Sequence, residues 1–267
     1  MFSSIFFFLE RVVRWIHNGS TALIQGLTLG LLSNQQLDRL TEQRYQKEYA
    51  SYAKSSHVAS GLFLWESAAI ERYFPSGGRV LVAAAGAGRE MVALAKAGFT
   101  VDGFDSCGPL VQAGQLELAK HGIAARLEYA PPSSVAALNG QYDAILVGWS
   151  GYMYIPGRNR RISFLQQLCR LAKPGAPVMV SFLDGTPGRR RVWTARIGTA
   201  VRRIRGAEPV EEGDWITSGF QHHFLADQIR SEMNEARIEL VYYSAGPCYG
   251  HAVGLCASGG RDQGEPT

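Results

Sequence analysis

The segment VLVAAAGAGRE (80–90) places a run of small residues, Ala83 to Gly88, between an apolar stretch and a charged one. Small side chains let a ligand approach backbone amides directly. In a doubly wound sheet, the first strand–helix turn lies at the crevice where ligands bind. Asp105 closes the next apolar run, VDGFD, 19 residues after Gly86. A carboxylate at that distance can accept both hydroxyls of a ribose. Gly86, Gly88 and Asp105 therefore point to a cofactor built on a nucleoside. Nicotinamide dinucleotides and S-adenosylmethionine both meet that description. The dinucleotide fingerprint G-x-G-x-x-G requires a third glycine for close helix packing, and Met91 stands at its position.

The elements that must hold these residues alternate. Apolar strands are expected at 79–85, 99–104, 125–130, 142–148 and 178–183. Helical patterns at 90–97, 110–121 and 159–172 separate most of them, the last stopped by Lys173-Pro174-Gly175. This spacing argues βαβ units and a parallel sheet. A helix at 226–235 leads to strands at 238–244 and 252–257, close enough to form an antiparallel hairpin. Residues 1–75 are helical in pattern. Ser33 and Gln36 form a capping-box signature for a polar helix, and 61–74 is a further amphipathic helix ending at Pro75.

At this point the chain resembles the class I S-adenosylmethionine-dependent methyltransferases over residues 61–257. The resemblance rests on RVLVAAAGAGRE, VDGFDSC, YDAILVGWS, LCRLAKPGAPVMVSF and HHFLADQIRSEMNEARIELVYY. It implies an α/β fold: a doubly wound, seven-stranded, mostly parallel sheet, Rossmann-like, whose seventh strand is antiparallel between the fifth and sixth. It implies S-adenosylmethionine as cofactor, approached by Ala84, Gly86, Gly88 and Glu90. Asp105 would hold the ribose, with Ser106, Cys107, Ala130 and Pro131 around the adenine. Gly148 and Trp149 would face cofactor and acceptor. The chain departs from the family at Val82 and Ala84, where an acid and a glycine are common, and at Ala130-Pro131, where an Asp often meets the adenine amine. Backbone amides or Ser133 would serve there instead.

Methyl transfer from a sulfonium is an in-line displacement, so the enzyme chiefly aligns the partners and excludes water. A base is required only where the acceptor carries a proton. Candidate catalytic residues are Tyr152 and Tyr154, in the segment after the fourth strand, and His57, in a helical region able to fold over the site. The two tyrosines and Trp149 suit either the wall of a flat acceptor pocket or ordinary packing. The expected substrate is a small molecule, anionic or aromatic, accepting the methyl on oxygen or nitrogen. Two other readings stand beside this one. One is a regulatory or assembly subunit that binds the cofactor without catalysis. The other, disfavoured by Met91, is a nicotinamide oxidoreductase.

The chain of 267 residues suits one large domain with an added segment, expected as a helical extension or lid at 1–75, a catalytic domain at 76–257 and a disordered tail at 258–267. Four scattered cysteines without a CxxC pair suggest free thiols in a reducing cytoplasm. Cys248, His251 and Cys256 lack a fourth zinc ligand, so no metal is expected. A net charge of +4 and no added binding module give no reason to invoke nucleic acid. Residues 189–205 nonetheless hold seven arginines, with Trp193, Ile197, Val201 and Ile204 at helical spacing. Such a helix suits an anionic substrate, an acidic lipid surface, or a solvated face balanced by the acids at 208–214. The apolar start, MFSSIFFFL, is far shorter than the roughly 20 residues a membrane span needs. Ile5, Phe8, Leu9, Val12, Val13 and Ile16 fall on one helical face, which packs on protein or lies on a membrane surface.

Overall fold

The structure, a computed structural model, describes residues 2–185, 188–246 and 249–257, without the side chains of 2–11 and 14–16. The tail expected to be disordered, 258–267, lies outside the described residues, as does Cys248. The strands are β1 (Arg79–Ala83), β2 (Thr100–Asp105), β3 (Leu127–Tyr129), β4 (Ala144–Val147), β5 (Pro177–Asp184), β6 (Asp214–Ile216), β7 (Phe220–Phe224), β8 (Ile238–Ser244) and β9 (Tyr249–Cys256). The helices are α1 (Phe2–Leu31), α2 (Asn34–Tyr52), α3 (Ser55–Val58), α4 (Leu64–Tyr73), α5 (Arg89–Lys96), α6 (Gly108–Lys120), α7 (Arg158–Leu171), α8 (Arg189–Ile204) and α9 (Ala226–Glu235).

β1 to β5 are parallel in the order β3-β2-β1-β4-β5. β9 then runs antiparallel along β5, from Pro177↔Leu255 to Leu183↔Tyr249, and β8 pairs antiparallel with β9. This is the expected seven-stranded arrangement. Its interior strands are apolar on both faces, as strands covered on both sides must be. Val80 and Val82 turn to one layer with Met91, Leu110 and Ile70, from α5, α6 and α4. Leu81 and Ala83 turn to the other with Phe164, Leu168 and Ile229, from α7 and α9.

The structure departs from the sequence reading in four places. A hairpin of β6 and β7 joins the sheet where β7 pairs with the end of β5, at Leu183↔His223 and Asp184↔Phe224, making nine strands among the described residues. Helix α1 runs unbroken through Asn18-Gly19-Ser20, where the sequence reads as the start of a second apolar helical segment, because packing on α8 outweighs the local cost of one glycine. The helix expected over 61–74 begins only at Leu64, after an extended Phe63. Cys169 of α7 and Cys256 of β9 are joined in a disulfide, contrary to the expectation of free thiols, because β9 lies in the sheet beneath α7. Cys107 is free and buried.

A buried polar cluster ties the hairpin to the domain. The Arg161 guanidinium, wholly buried, donates to Glu232 at 2.6 Å and to Glu211 at 2.7 Å. Asp214 of β6 meets His222 Nδ1 of β7 at 2.7 Å. Burial raises the Asp214 carboxyl to about 6 and lowers His222 to about 4. A buried guanidinium this well paired fixes the mutual position of α7, α9 and the segment before β6; removing one partner would strand a charge.

Candidate cofactor and acceptor site

The turn after β1 is shaped by three left-handed residues, Ala84 (φ 53°), Gly86 (φ 53°) and Gly88 (φ 86°). Such φ values favour glycine strongly. A side chain added at Gly86 would meet open space, since its Cα faces the cleft. At Gly88 a Cβ would meet the backbone of Gly114 only at an ordinary 3.8 Å, so its left-handed φ rather than lack of space calls for glycine, and Gly88, expected to approach the cofactor, does not line the cleft. Asp105 sits across the turn. Its carboxylate accepts the Gly86 amide at 2.8 Å and the Cys107 amide at 2.7 Å. Burial raises its pKa, while these two amides pull the other way.

One cleft gathers most of the residues singled out from the sequence. Ala84 and Gly86 after β1, Glu90 at the start of α5, and Asp105, Ser106 and Cys107 at the end of β2 line it, with Ala130 and Pro131 after β3 and Trp149 after β4. His57 and Tyr154 line it as well. Ser133, also in the lining, has a left-handed backbone (φ 61°) and a buried hydroxyl with no hydrogen-bond partner. An unsatisfied buried hydroxyl is costly unless a ligand or water completes it. Gly148 is not part of the lining. It permits the end of β4 to press against the carbonyl of Ala84.

Tyr152, expected among the catalytic residues, does not line the cleft. Its ring is buried and stacks on Phe224 at 5.3 Å, and its hydroxyl donates to Glu232 at 2.6 Å. It belongs to the Arg161 cluster, because the 3-10 turn Gly151–Tyr154 points alternate tyrosines to opposite sides. His222 is in that cluster too, its Nδ1 against Asp214. His251 lies against Trp65 at 4.7 Å.

Sequence reasoning missed the opposite wall. α2 contributes Asp38, Thr41, Glu42 and Tyr45, followed by Tyr52. Their spacing of three, four and seven is a helical stripe, visible once the helix is not dismissed as wholly polar. Tyr45 meets Tyr154 edge-on at 5.6 Å and Tyr52 at 5.7 Å, and Tyr52 meets His57 at 5.6 Å. Arg44 donates to the Tyr154 hydroxyl at 3.1 Å. Burial pushes the Tyr45 and Tyr154 phenols up and, with Arg89 nearby, holds the His57 imidazole below its usual value.

Arg89 was also overlooked. Its buried guanidinium donates to both oxygens of Glu66 on α4, at 2.9 and 2.8 Å, and to Glu90 at 2.7 Å. Glu90 in turn accepts the Trp149 amide at 3.1 Å. This chain of bonds locks α4, the glycine turn and the end of β4 together. Among the described residues, Glu211, Asp214 and His222 have donor atoms close enough to share a cation, but each is engaged within the Arg161 cluster.

No family model matches the chain, and no curated protein matches it in sequence. Solved structures do match. The Burkholderia thailandensis 1,6-didemethyltoxoflavin-N1-methyltransferase, with bound 1,6-didemethyltoxoflavin and S-adenosylhomocysteine, superposes with a TM-score of 0.59 at 15% identity, over 85% of this chain and 92% of that one. A SAM-dependent methyltransferase from Methanosarcina mazei gives 0.57 at 17% identity, over 74% and 99%. The [4+2]-cyclase SpnF gives 0.56 at 13% identity, over 73% and 81%. With its β3-β2-β1-β4-β5-β9-β8 order and antiparallel β9, the chain has the fold of the S-adenosylmethionine-dependent methyltransferases.

Proposed function

We propose that the protein transfers a methyl group from S-adenosylmethionine to a small, flat acceptor through an oxygen or nitrogen atom. The observation that carries this reading is one cleft joining the Gly86 turn, the Asp105 carboxylate and the unpartnered Ser133 hydroxyl to an aromatic wall from α2. The residues fit the cofactor: open space at Gly86, a carboxylate for the ribose and an orphan hydroxyl beside Ala130 and Pro131, where an adenine would lie. Ala84, Glu90 and Trp149 would bound its amino-acid end, and Ser106 and Cys107 the far side of the adenine. The cofactor supplies an electrophilic methyl group on a sulfonium. Tyr45, Tyr52 and Tyr154 would clamp the acceptor and exclude water. His57, kept neutral at neutral pH, would accept a proton where the acceptor must lose one. In this reading α2 to α4 are the lid, fastened through Arg89 and Glu66.

Calorimetry with S-adenosylmethionine tests the proposal on wild type and Asp105→Ala. Wild type should bind with micromolar affinity and the variant at least tenfold more weakly, as for loss of a charged hydrogen-bond acceptor, about 1.5–3 kcal/mol. A folded wild type that binds none sinks the reading. A second reading is favoured by one finding, that a protein described as a [4+2]-cyclase shares the fold. Tight cofactor binding with no S-adenosylhomocysteine formed on any acceptor in a broad screen would assign this chain a role other than methyl transfer.

A further inference from the structure

Helices α1 and α8 pack side by side and run the same way. The Thr194 hydroxyl donates to the Ala22 carbonyl, Gly26 faces Ile197, Gly30 faces Val201 and Arg202 donates to the Leu29 carbonyl. The glycines bring the two backbones close. In parallel helices joined along this line, the exposed residues beside the seam turn to the same side, away from the sheet. On α1 these are Leu23, Ile24, Leu27 and Leu31, each 40–64% exposed. On α8 they are Trp193, 58% exposed, and Ile204, 88% exposed. Arg189, Arg196 and Arg203 share the outer stripe of α8.

Among the described residues, this face carries positive charge with no carboxylate on it to balance that charge. The sequence holds no Asp or Glu in 12–31 or 189–207. Of the acids at 208–214 expected to neutralise α8, Glu211 pairs with Arg161, Asp214 with His222, and the Glu208 carboxylate accepts the Asn159 amide. Among the described residues, no carboxylate lies within ion-pair distance of Arg189, Arg196 or Arg203.

We propose that the α1–α8 face docks the protein on an anionic lipid bilayer, with the leucines, Ile204 and Trp193 in the interfacial layer and the arginines on headgroup phosphates. Exposed apolar residues flanked by arginines have the composition of an interfacial helix, and basic residues near an anionic surface strengthen binding cumulatively. A second copy seated on this face would set arginine against arginine. Nucleic acid would neutralise the charge and leave the leucines wet. No described helix is long and apolar enough to cross a membrane, so the attachment is to the surface. Because Ala22 is level with Thr194, the first half of α1 projects beyond the start of α8, and its sequence there includes Phe2, Phe6, Phe7 and Phe8.

Vesicle flotation of the full chain, without cofactor, tests this independently of methyl transfer. The protein should float with vesicles of equimolar phosphatidylglycerol and phosphatidylcholine and stay behind with phosphatidylcholine alone, and added salt should weaken binding. Arg196→Glu/Arg203→Glu should lower partitioning at least tenfold, at roughly fivefold per charge lost. Trp193→Ser/Ile204→Ser should also lower it, with the melting temperature of both variants near that of wild type. Three results would overturn the proposal: no binding to anionic vesicles at low salt, equal binding to both vesicle types, or a dimer by light scattering that Ile204→Asp dissociates.

Discussion

Tyr152 and Tyr154 lie two residues apart and have opposite fates. Tyr154 faces the cleft beside Tyr45, whereas Tyr152 completes a cluster with Glu232 and Arg161. Tyr152→Phe should therefore lower stability by about 1–2 kcal/mol, as for one lost buried hydrogen bond. It should leave S-adenosylmethionine affinity unchanged, and denaturant melts with calorimetry on the same sample check both halves. The distinction was not legible in the sequence, because Glu232 lies 80 residues from Tyr152. Gly86 and Asp105 were legible, since the backbone turn and strand end that place them are local. Arg89 and Glu66 were not: nothing in a charged residue after a glycine turn says that its partner is on an earlier helix.

At the scale of elements, α1 and α8 meet through glycines at Gly26, Gly30 and Gly198, and substitutions there have opposite expectations from one at Gly19. A Cβ at Gly30 would stand 2.6 Å from that of Val201. Gly30→Leu should cost about 1–3 kcal/mol through overpacking. At Gly19 nothing lies within 4 Å, so Gly19→Ala should stabilise the protein by up to about 1 kcal/mol through helix propensity. Thermal unfolding of the two variants checks the pair. The capping box at Ser33 and Gln36 and the bounds of α9 and β8 follow the sequence reading closely, because caps and turns are local signals. The β6–β7 hairpin escaped it. DWI is too short to show periodicity, and FQHHF hides a buried histidine among polar neighbours.

For the whole molecule, strand–helix alternation was enough to forecast the sheet, since right-handed crossovers leave few ways to stack such units. The disulfide was beyond reach, because an 87-residue separation between two cysteines carries no pairing information. Acid sensitivity is another global property. Burial, with Arg191 and His222 nearby, lowers His223 to about 4. The unfolded chain thus takes up this proton near pH 6.5 and the folded one only near 4, so stability is full above pH 6.5 and declines as pH falls toward 4. Asp214, raised to about 6, acts in the opposite sense over much of that range and offsets its partner His222. His223→Gln should therefore flatten the fall in melting temperature between pH 6.5 and 4.5, as read from thermal scans across that range.

The antiparallel strand β9 lies against β5 along nearly the whole of that strand, yet it is made long after it. During synthesis on the ribosome, β1 to β5 can assemble while one edge of β5, with the apolar run VMVSF, still lacks its neighbour. Unpaired strand edges of this kind recruit other chains. The nascent protein is thus most exposed to misassembly in the interval between emergence of β5 and arrival of β9, a window in which chaperone capture would matter most.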